Sequence, residues 1–256
     1  MRPHVTLIIP DVHVPFHNAK LVTRIAKLNH DLRPDHLVFS GDFLDLHSLS
    51  RHNRGSLAKL KGLDLSEEYR LGRIVIDQFL GKVPARVSFL YGNHEDNYLR
   101  HLADDDNGKL GRELGTPEDA LGLCGGARGR GRRATRGIRV YRNWMEDSVK
   151  VGPHLEVVHG LYTCVHSAKK HLDEFESSVM FGHTHRFQSY VTQKRGAYNI
   201  GFLGDPKSVG FSYAPKAQRL KWVNGFAVVY TMDDGSFVPV CIQCWNGRFV
   251  FNGKTY

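Results

Sequence analysis

Two rhythms of apolar residues divide the chain. In the first part, short β-branched runs (His4 to Ile9, His36 to Ser40, Ala85 to Phe89) read as buried strands. Between them, apolar residues recur at helical spacing: Leu21, Val22, Ile25 and Leu28, then Leu71, Ile74, Val75 and Phe79, with Gln78 in the same register. The second helix is expected over Ser66 to Leu80, with Ser66 as its cap and Glu67 and Glu68 in its first turn. Strands alternating with helices imply parallel pairing through right-handed crossovers, which gathers the C-terminal tips of the strands along one edge. Those tips are polar, Asp11-Val12-His13, Gly41-Asp42 and Gly92-Asn93-His94-Glu95, so the edge reads as a site and not as core.

A short helix is expected near Asn97 to Leu102, followed by an insertion from about 104 to 137. Within it, Thr116-Pro117-Glu118-Asp119 has the chemistry of a helix start, because threonine caps and proline suits the first helical position. Gly125 to Arg133 has almost no apolar residue and is expected at the surface. From Ile138 the rhythm changes to strands punctuated by Gly152-Pro153, Arg195-Gly196, Asp234-Gly235, Asn246-Gly247 and Asn252-Gly253, which predicts hairpins and a mostly antiparallel sheet. One helix, at about Ser167 to Glu176, interrupts it. Two more strand ends carry histidine, at His159-Gly160 and Gly182-His183-Thr184-His185. The expected organisation is a single domain over 1–256 with a Gly/Arg-rich insertion.

Composition narrows the class only slightly. The 256 residues are 41% hydrophobic and 24% charged, as in ordinary globular proteins. No apolar run reaches the roughly 18 residues of a membrane span, and Val5 to Ile9 is too short for the apolar part of a signal peptide, so no membrane partner and a cytoplasmic location are expected. Cys241 and Cys244 have zinc-knuckle spacing, but no second pair accompanies them, and the alternation through Val240 and Ile242 predicts a strand. A formal net charge of +9 favours polyanionic partners.

The strand-end groups form a donor set: Asp11, His13, Asp42, Asn93, His159, His183 and His185. Imidazole, carboxylate and amide oxygen together suit Mn²⁺, Fe or Zn²⁺ better than Mg²⁺ or Ca²⁺. Seven donors are too many for one ion with an open position, whereas one shared carboxylate divides them into two sites of four.

In its ordered blocks D-x-H, G-D, G-N-H-E, H-G and G-H-x-H, the chain resembles the calcineurin-like metallophosphoesterases. The resemblance covers Asp11 to His185. It implies an α/β fold, an αββα sandwich of two mixed sheets flanked by helices. It implies two divalent transition metal ions, Mn²⁺ favoured with Fe, Zn²⁺ or Ni²⁺ also compatible. Asp11, His13, Asp42 and His185 would hold the first, Asp42, Asn93, His159 and His183 the second. It implies His94 as proton donor to the leaving oxygen and Asp45 as the carboxylate that orients it, with in-line attack by a water held between the ions. A looser likeness is to stand-alone phosphoesterases of phages.

Phosphoprotein phosphatases of this superfamily carry an arginine directly after the second aspartate of G-D-x-x-D; here Leu46 stands there. Without that bidentate partner a phosphodiester is the expected substrate class, with DNA or RNA as the polyanionic form. Arg51, His52 and Arg54, with Asn93 and His94, are the expected substrate contacts, and Arg128, Arg130, Arg132, Arg133 and Arg136 add positive charge. The arginine run lacks the interleaved aromatics of a base-stacking surface. Two other readings stay open: a phosphomonoesterase acting on a nucleotide or phosphoprotein, and a nucleic-acid-binding module whose metal site is structural or vestigial.

Overall fold

The computed structural model describes residues 2–49, 64–81, 86–103, 115–123 and 138–256. Arg51, His52, Arg54 and the arginine-rich part of the insertion, 124–137, lie outside the described residues.

The first half builds β1 (His4–Ile9), α1 (Ala19–Leu32), β2 (His36–Ser40), α2 (Leu65–Leu80) and β3 (Arg86–Leu90). α3 (Asn93–Ala103), α4 (Pro117–Leu121) and β4 (Ile138–Tyr141) follow. β1 to β4 pair in parallel, in a register that sets Ile9 beside Phe39 and Ser40 beside Leu90. The hairpin of β10 (Gly225–Thr231) and β11 (Phe237–Gln243) extends this sheet antiparallel on the β1 side, giving the order β11-β10-β1-β2-β3-β4. Cys241 falls on β11, as the alternation predicts.

A second sheet has the order β5-β6-β7-β9-β8, from β5 (Val149–Lys150), β6 (Leu155–Val157), β7 (Ser178–Phe181), β8 (Phe187–Val191) and β9 (Gly196–Ile200). The second half pairs mostly antiparallel, as expected, with one exception inside this sheet. β6, β7 and β9 are mutually parallel, because α5 (Ser167–Glu174) carries the chain back over the sheet between β6 and β7. The turn signals mark true hairpins at β8–β9, β10–β11, and β12 (Val250–Phe251) with β13 (Lys254–Thr255).

The sheets meet face to face through Ile8, Val38 and Leu90 on one side and Val157, Met180 and Ile200 on the other. α1 and α2 cover the outer face of the first sheet with Leu21, Ile25, Val75 and Phe79, and α5 covers the second with Ala168 and Leu172. The architecture is therefore an αββα sandwich of two mixed sheets. No helix among the described residues is long and apolar enough to cross a membrane.

Three local expectations shift. α2 is capped by Asp64, whose carboxylate accepts from Glu67 N at 2.8 Å, so Ser66 lies inside the first turn. Its buried face runs through Leu65, Tyr69, Gly72, Val75, Ile76 and Phe79, leaving Ile74 51% exposed. α3 starts at Asn93 itself, one turn earlier than expected, so two candidate site residues occupy a helix start. The capping box of Thr116 and Asp119 forms as its sequence predicts.

Candidate metal centre

Parallel strands end on the same side, so Asp11 and His13 after β1, Asp42 after β2, and Asn93 and His94 after β3 emerge along one edge of the first sheet. His159 after β6, and His183 and His185 after β7, leave the second sheet on the same rim. Five of these residues hold left-handed backbone: Asp11 (φ 27°), His13 (53°), Asp42 (48°), His183 (62°) and His185 (58°). Each such position costs on the order of 1 kcal/mol or more and persists only where the surroundings enforce it, which is typical of functional sites. Two glycines make the approach of the carboxylates possible. A Cβ on Gly92 would stand 2.0 Å from Asp42 Oδ1, and one on Gly182 would stand 2.1 Å from Asp11 Oδ1.

The side chains converge in two groups. In the first, His13 Nε2 and His185 Nε2 lie 3.0 Å apart, with Asp11 Oδ2 3.4 Å from His185. In the second, His159 Nε2 lies 3.0 Å from Asn93 Oδ1, 3.1 Å from His183 Nδ1 and 3.3 Å from Asp42 Oδ2. Asp42 Oδ2 is also 3.8 Å from His13 Nε2, so this one oxygen stands between the groups. Asp11, His13 and His185, and likewise Asp42, His159 and His183, offer ligand atoms within 4.8 Å of one another.

This donor set fits a cation. Facing imidazole nitrogens 3.0 Å apart can share at most one proton, and Asp11 Oδ1 is buried without a hydrogen-bond partner, a costly state in the absence of a positive charge. Neighbours fix which nitrogens are presented. His159 Nδ1 donates to the Ser40 carbonyl at 3.1 Å, and His13 Nδ1 donates to Asp45 Oδ2 at 3.0 Å, leaving both Nε2 atoms to face the centre.

The electrostatics are those of charges crowded out of water. Burial, reinforced by Asp42, raises the Asp11 carboxyl well above the usual range. Burial acts in the same sense on Asp42, but His159 and His94 beside it prevail and hold it low. Burial depresses His183 to about 3, with the charge of His159 adding to the effect, and lowers His185 strongly, so both imidazoles keep free lone pairs. His94 and His159 go the other way: Asp42 overcomes their burial and lifts each to about 9.

His94 lies beside the centre with its side chain 18% exposed. Its Nδ1 donates to the main-chain carbonyl of Asp45 at 2.5 Å, while the Asp45 carboxylate is 3.9 Å away. Asp45 thus meets His94 through its backbone and spends its carboxylate on His13. Its own carboxyl is held low by His13 and His47 in spite of burial.

Sequence reasoning missed Glu95 as a brace. This buried carboxylate accepts from the main-chain N–H groups of Asp42 (3.0 Å), Leu44 (2.9 Å) and Gly92 (2.8 Å), clamping the tip of β2 to the tip of β3. Its sequence signal was its place at the end of the Gly92-Asn93-His94-Glu95 block, which did not specify this role. Also missed were the outer walls of the cleft of about 180 Å³ that opens over Asp42, Asn93 and His94, formed by Thr163, Arg186, Tyr213, Gln218 and Trp222. The Trp222 ring packs edge-on against His185 at 4.5 Å.

The model of the calcineurin-like phosphoesterase family matches residues 4–187. The gene 54 proteins of Mycobacterium phages D29 and L5 are 25% identical over 281 residues and 24% over 273, each alignment covering 98% of this chain and 97% of the phage protein. Among solved structures, Vps29 from Chaetomium thermophilum is 11% identical with a TM-score of 0.46, over 95% of this chain and 97% of that one. Yfce, a phosphoesterase from E. coli, is 14% identical with a TM-score of 0.40, over 93% and 98%. Pseudomonas putida nuclease MPE is 15% identical with a TM-score of 0.37, over 92% and 87%.

Proposed function

The chain belongs to the calcineurin-like phosphoesterase family, metal-dependent hydrolases of phosphoesters, and on that premise we propose that it is a phosphodiesterase using two divalent metal ions. The observation that supports two ions is the position of Asp42 Oδ2, 3.3 Å from His159 Nε2 and 3.8 Å from His13 Nε2, as a carboxylate shared between two donor groups. Asp11, His13, Asp42 and His185 would hold one ion, and Asp42, Asn93, His159 and His183 the other. Mn²⁺ is favoured by the mixture of imidazole, carboxylate and amide oxygen. Bound there, such a pair supplies Lewis acidity to the phosphoryl oxygens and hydroxide at neutral pH.

The chain's own residues do the rest. Asp45 and Ser40 orient His13 and His159 through their Nδ1 atoms, and Glu95 fixes the turn that carries Asp42. His94, anchored through Nδ1 and lining the cleft, carries the proton for the leaving oxygen. Leu46 supports the diester over the monoester: it is 2% exposed and packed in the core, so nothing at that position can clamp a dianion. The net charge of +9 supports a nucleic-acid backbone as the natural diester, which makes a nuclease the specific form of the proposal.

The test is a parallel assay of a bis-aryl phosphodiester, an aryl phosphomonoester, and single-stranded and duplex DNA, each with Mn²⁺, Ni²⁺, Zn²⁺ or Mg²⁺. Diester hydrolysis exceeding monoester hydrolysis, highest with Mn²⁺, is expected. Monoester preference would replace the reading by a phosphomonoesterase, and metal binding without turnover on any of them would leave a binding module.

A further inference from the structure

Asp42 lines the cleft, with the carboxylates of Asp11 and Asp45 buried near it, and a phosphate ester entering it is itself an anion. Recognition therefore needs a positive group on the wall as well as at the centre. The position where related phosphatases carry an arginine cannot supply it, because Leu46 is directed into the core with Phe43 and Leu44. A guanidinium reaches the cleft from elsewhere. Arg186, one residue beyond His185 and just before β8, lines it.

Arg186 is well anchored for this task. Its main-chain N–H donates to Thr184 Oγ1 at 3.3 Å, and Thr184 Oγ1 in turn accepts from the buried Asn199 amide. Its Nη1 donates to the Cys164 carbonyl at 3.3 Å, which steadies the long side chain against the loop ahead of α5. Among the described residues it forms no ion pair, so its charge is not cancelled, and the N–H groups of Nε and Nη2 remain for an acceptor in the cleft. Tyr213 borders the same space. The residue is 44% exposed, and its phenol lies in the field of Asp45, Asp42 and Asp11. Phe211, two residues earlier, packs edge-on against His13 at 5.3 Å and so fixes the segment that presents Tyr213.

We propose that Arg186 forms a phosphate-binding wall of the cleft, its guanidinium edge gripping the two non-bridging oxygens of the ester. The inference rests on the phosphoesterase reading of the metal centre and names the group that recognises its substrate. A guanidinium held by one nitrogen keeps a planar edge of two donors, which matches the paired oxygens of a singly charged diester. It also explains how a chain lacking the usual arginine after Asp45 retains a phosphate clamp: the clamp is supplied from the far side of the site, by the segment that follows His185.

The experiment compares full-length Mn²⁺-loaded wild type with Arg186→Ala and Arg186→Lys. It measures kcat and KM on a bis-aryl phosphodiester, the Kd of inorganic phosphate by calorimetry, metal content and melting temperature. Arg186→Ala should raise KM and the phosphate Kd by roughly ten- to a hundredfold, the range of a lost charged hydrogen bond, with metal content and melting temperature unchanged. Arg186→Lys should recover part of the affinity, and added methylguanidinium should rescue Arg186→Ala. An unchanged phosphate Kd in Arg186→Ala overturns the proposal, as does a loss that tracks metal content or melting temperature, which would make Arg186 a tie between loops. If the wild type hydrolyses no phosphoester with any metal, the phosphodiesterase reading fails by itself, while the phosphate titration still decides on Arg186.

Discussion

Gly182→Ala adds a single methyl group, and its consequences for the metal centre can be worked out. The new Cβ would stand 2.1 Å from Asp11 Oδ1 and 2.8 Å from Asp11 Cγ. An unstrained contact needs more than 3 Å, so the carboxylate or the turn must move by about 1 Å. Asp11 has nowhere to swing: it is fully buried, and its Oδ2 accepts from the main-chain N–H of His183 at 2.6 Å. Two costs follow. Overpacking of this kind costs about 1–3 kcal/mol, which at roughly 2–4 °C per kcal/mol for a protein of this size lowers the metal-free melting temperature by about 2–12 °C. The displaced Asp11 also ceases to be a good ligand, so metal affinity should fall at least tenfold, removing about 1.4 kcal/mol or more of metal-linked stabilisation at saturating metal. The two effects separate in differential scanning calorimetry with and without Mn²⁺, supported by elemental analysis of metal per chain. The variant should show both the lower baseline and a smaller rise on adding metal. A variant with wild-type metal content, wild-type metal response and wild-type turnover would refute the assignment of Asp11 as a ligand held by close approach of this turn.

Three further outcomes are expected. His94→Ala should retain its metal content but lose roughly 10²–10⁴-fold in kcat on an alkyl-type ester and much less on an activated aryl ester, whose leaving group needs little protonation; equal losses on both would remove His94 from the acid role. Glu95→Ala strips the acceptor from three buried main-chain N–H groups and should destabilise the metal-free protein by about 3 kcal/mol or more in urea titration; unchanged stability would show that the clamp between the strand tips contributes nothing. His36, 1% exposed at the start of β2 and bonded to Ser88 Oγ of β3 at 2.9 Å, is depressed to about 3 by burial, so it folds neutral but is protonated when unfolded below about 6.5. Its contribution is full above that pH and is lost at about 1.4 kcal/mol per unit as pH falls toward 3, so stability should drop between pH 6.5 and 5 more steeply in wild type than in His36→Gln; parallel slopes would count against it.

Much of the candidate centre was legible in the sequence, because its metal-donor candidates sit where local signals are strong. Apolar β-branched runs that stop at Asp11, Asp42, Asn93, His159 and His183 announce strand tips, and the parallel order of β1, β2 and β3 follows from the helices between them. The blocks from Asp11 to His185 carried the family in the same way. Periodicity was weaker at element ends: it misplaced the cap of α2 by two residues and the start of α3 by four, because Asp64 and Asn93 act through turn geometry that apolar spacing does not register.

Tertiary structure alone decided the rest. That β6, β7 and β9 run parallel depended on where α5 packs, and turn residues cannot report that. Asp45 was read as the carboxylate that orients His94; the carboxylate hydrogen-bonds His13, 32 residues before it, and stands 3.9 Å from His94, whose hydrogen bond goes to the Asp45 carbonyl. Glu95 became a clamp because the register of β2 against β3 aims three main-chain N–H groups at one carboxylate, and Arg186 and Tyr213 became cleft walls because the two sheets stack with their polar rims on the same side. A sequence determines what is cheap locally, the run of apolar residues, the turn and the cap. Contacts such as His13 with His185, 172 residues apart, are fixed only when long loops close and two sheets find one packing, a free energy shared by the whole core and written in no single segment.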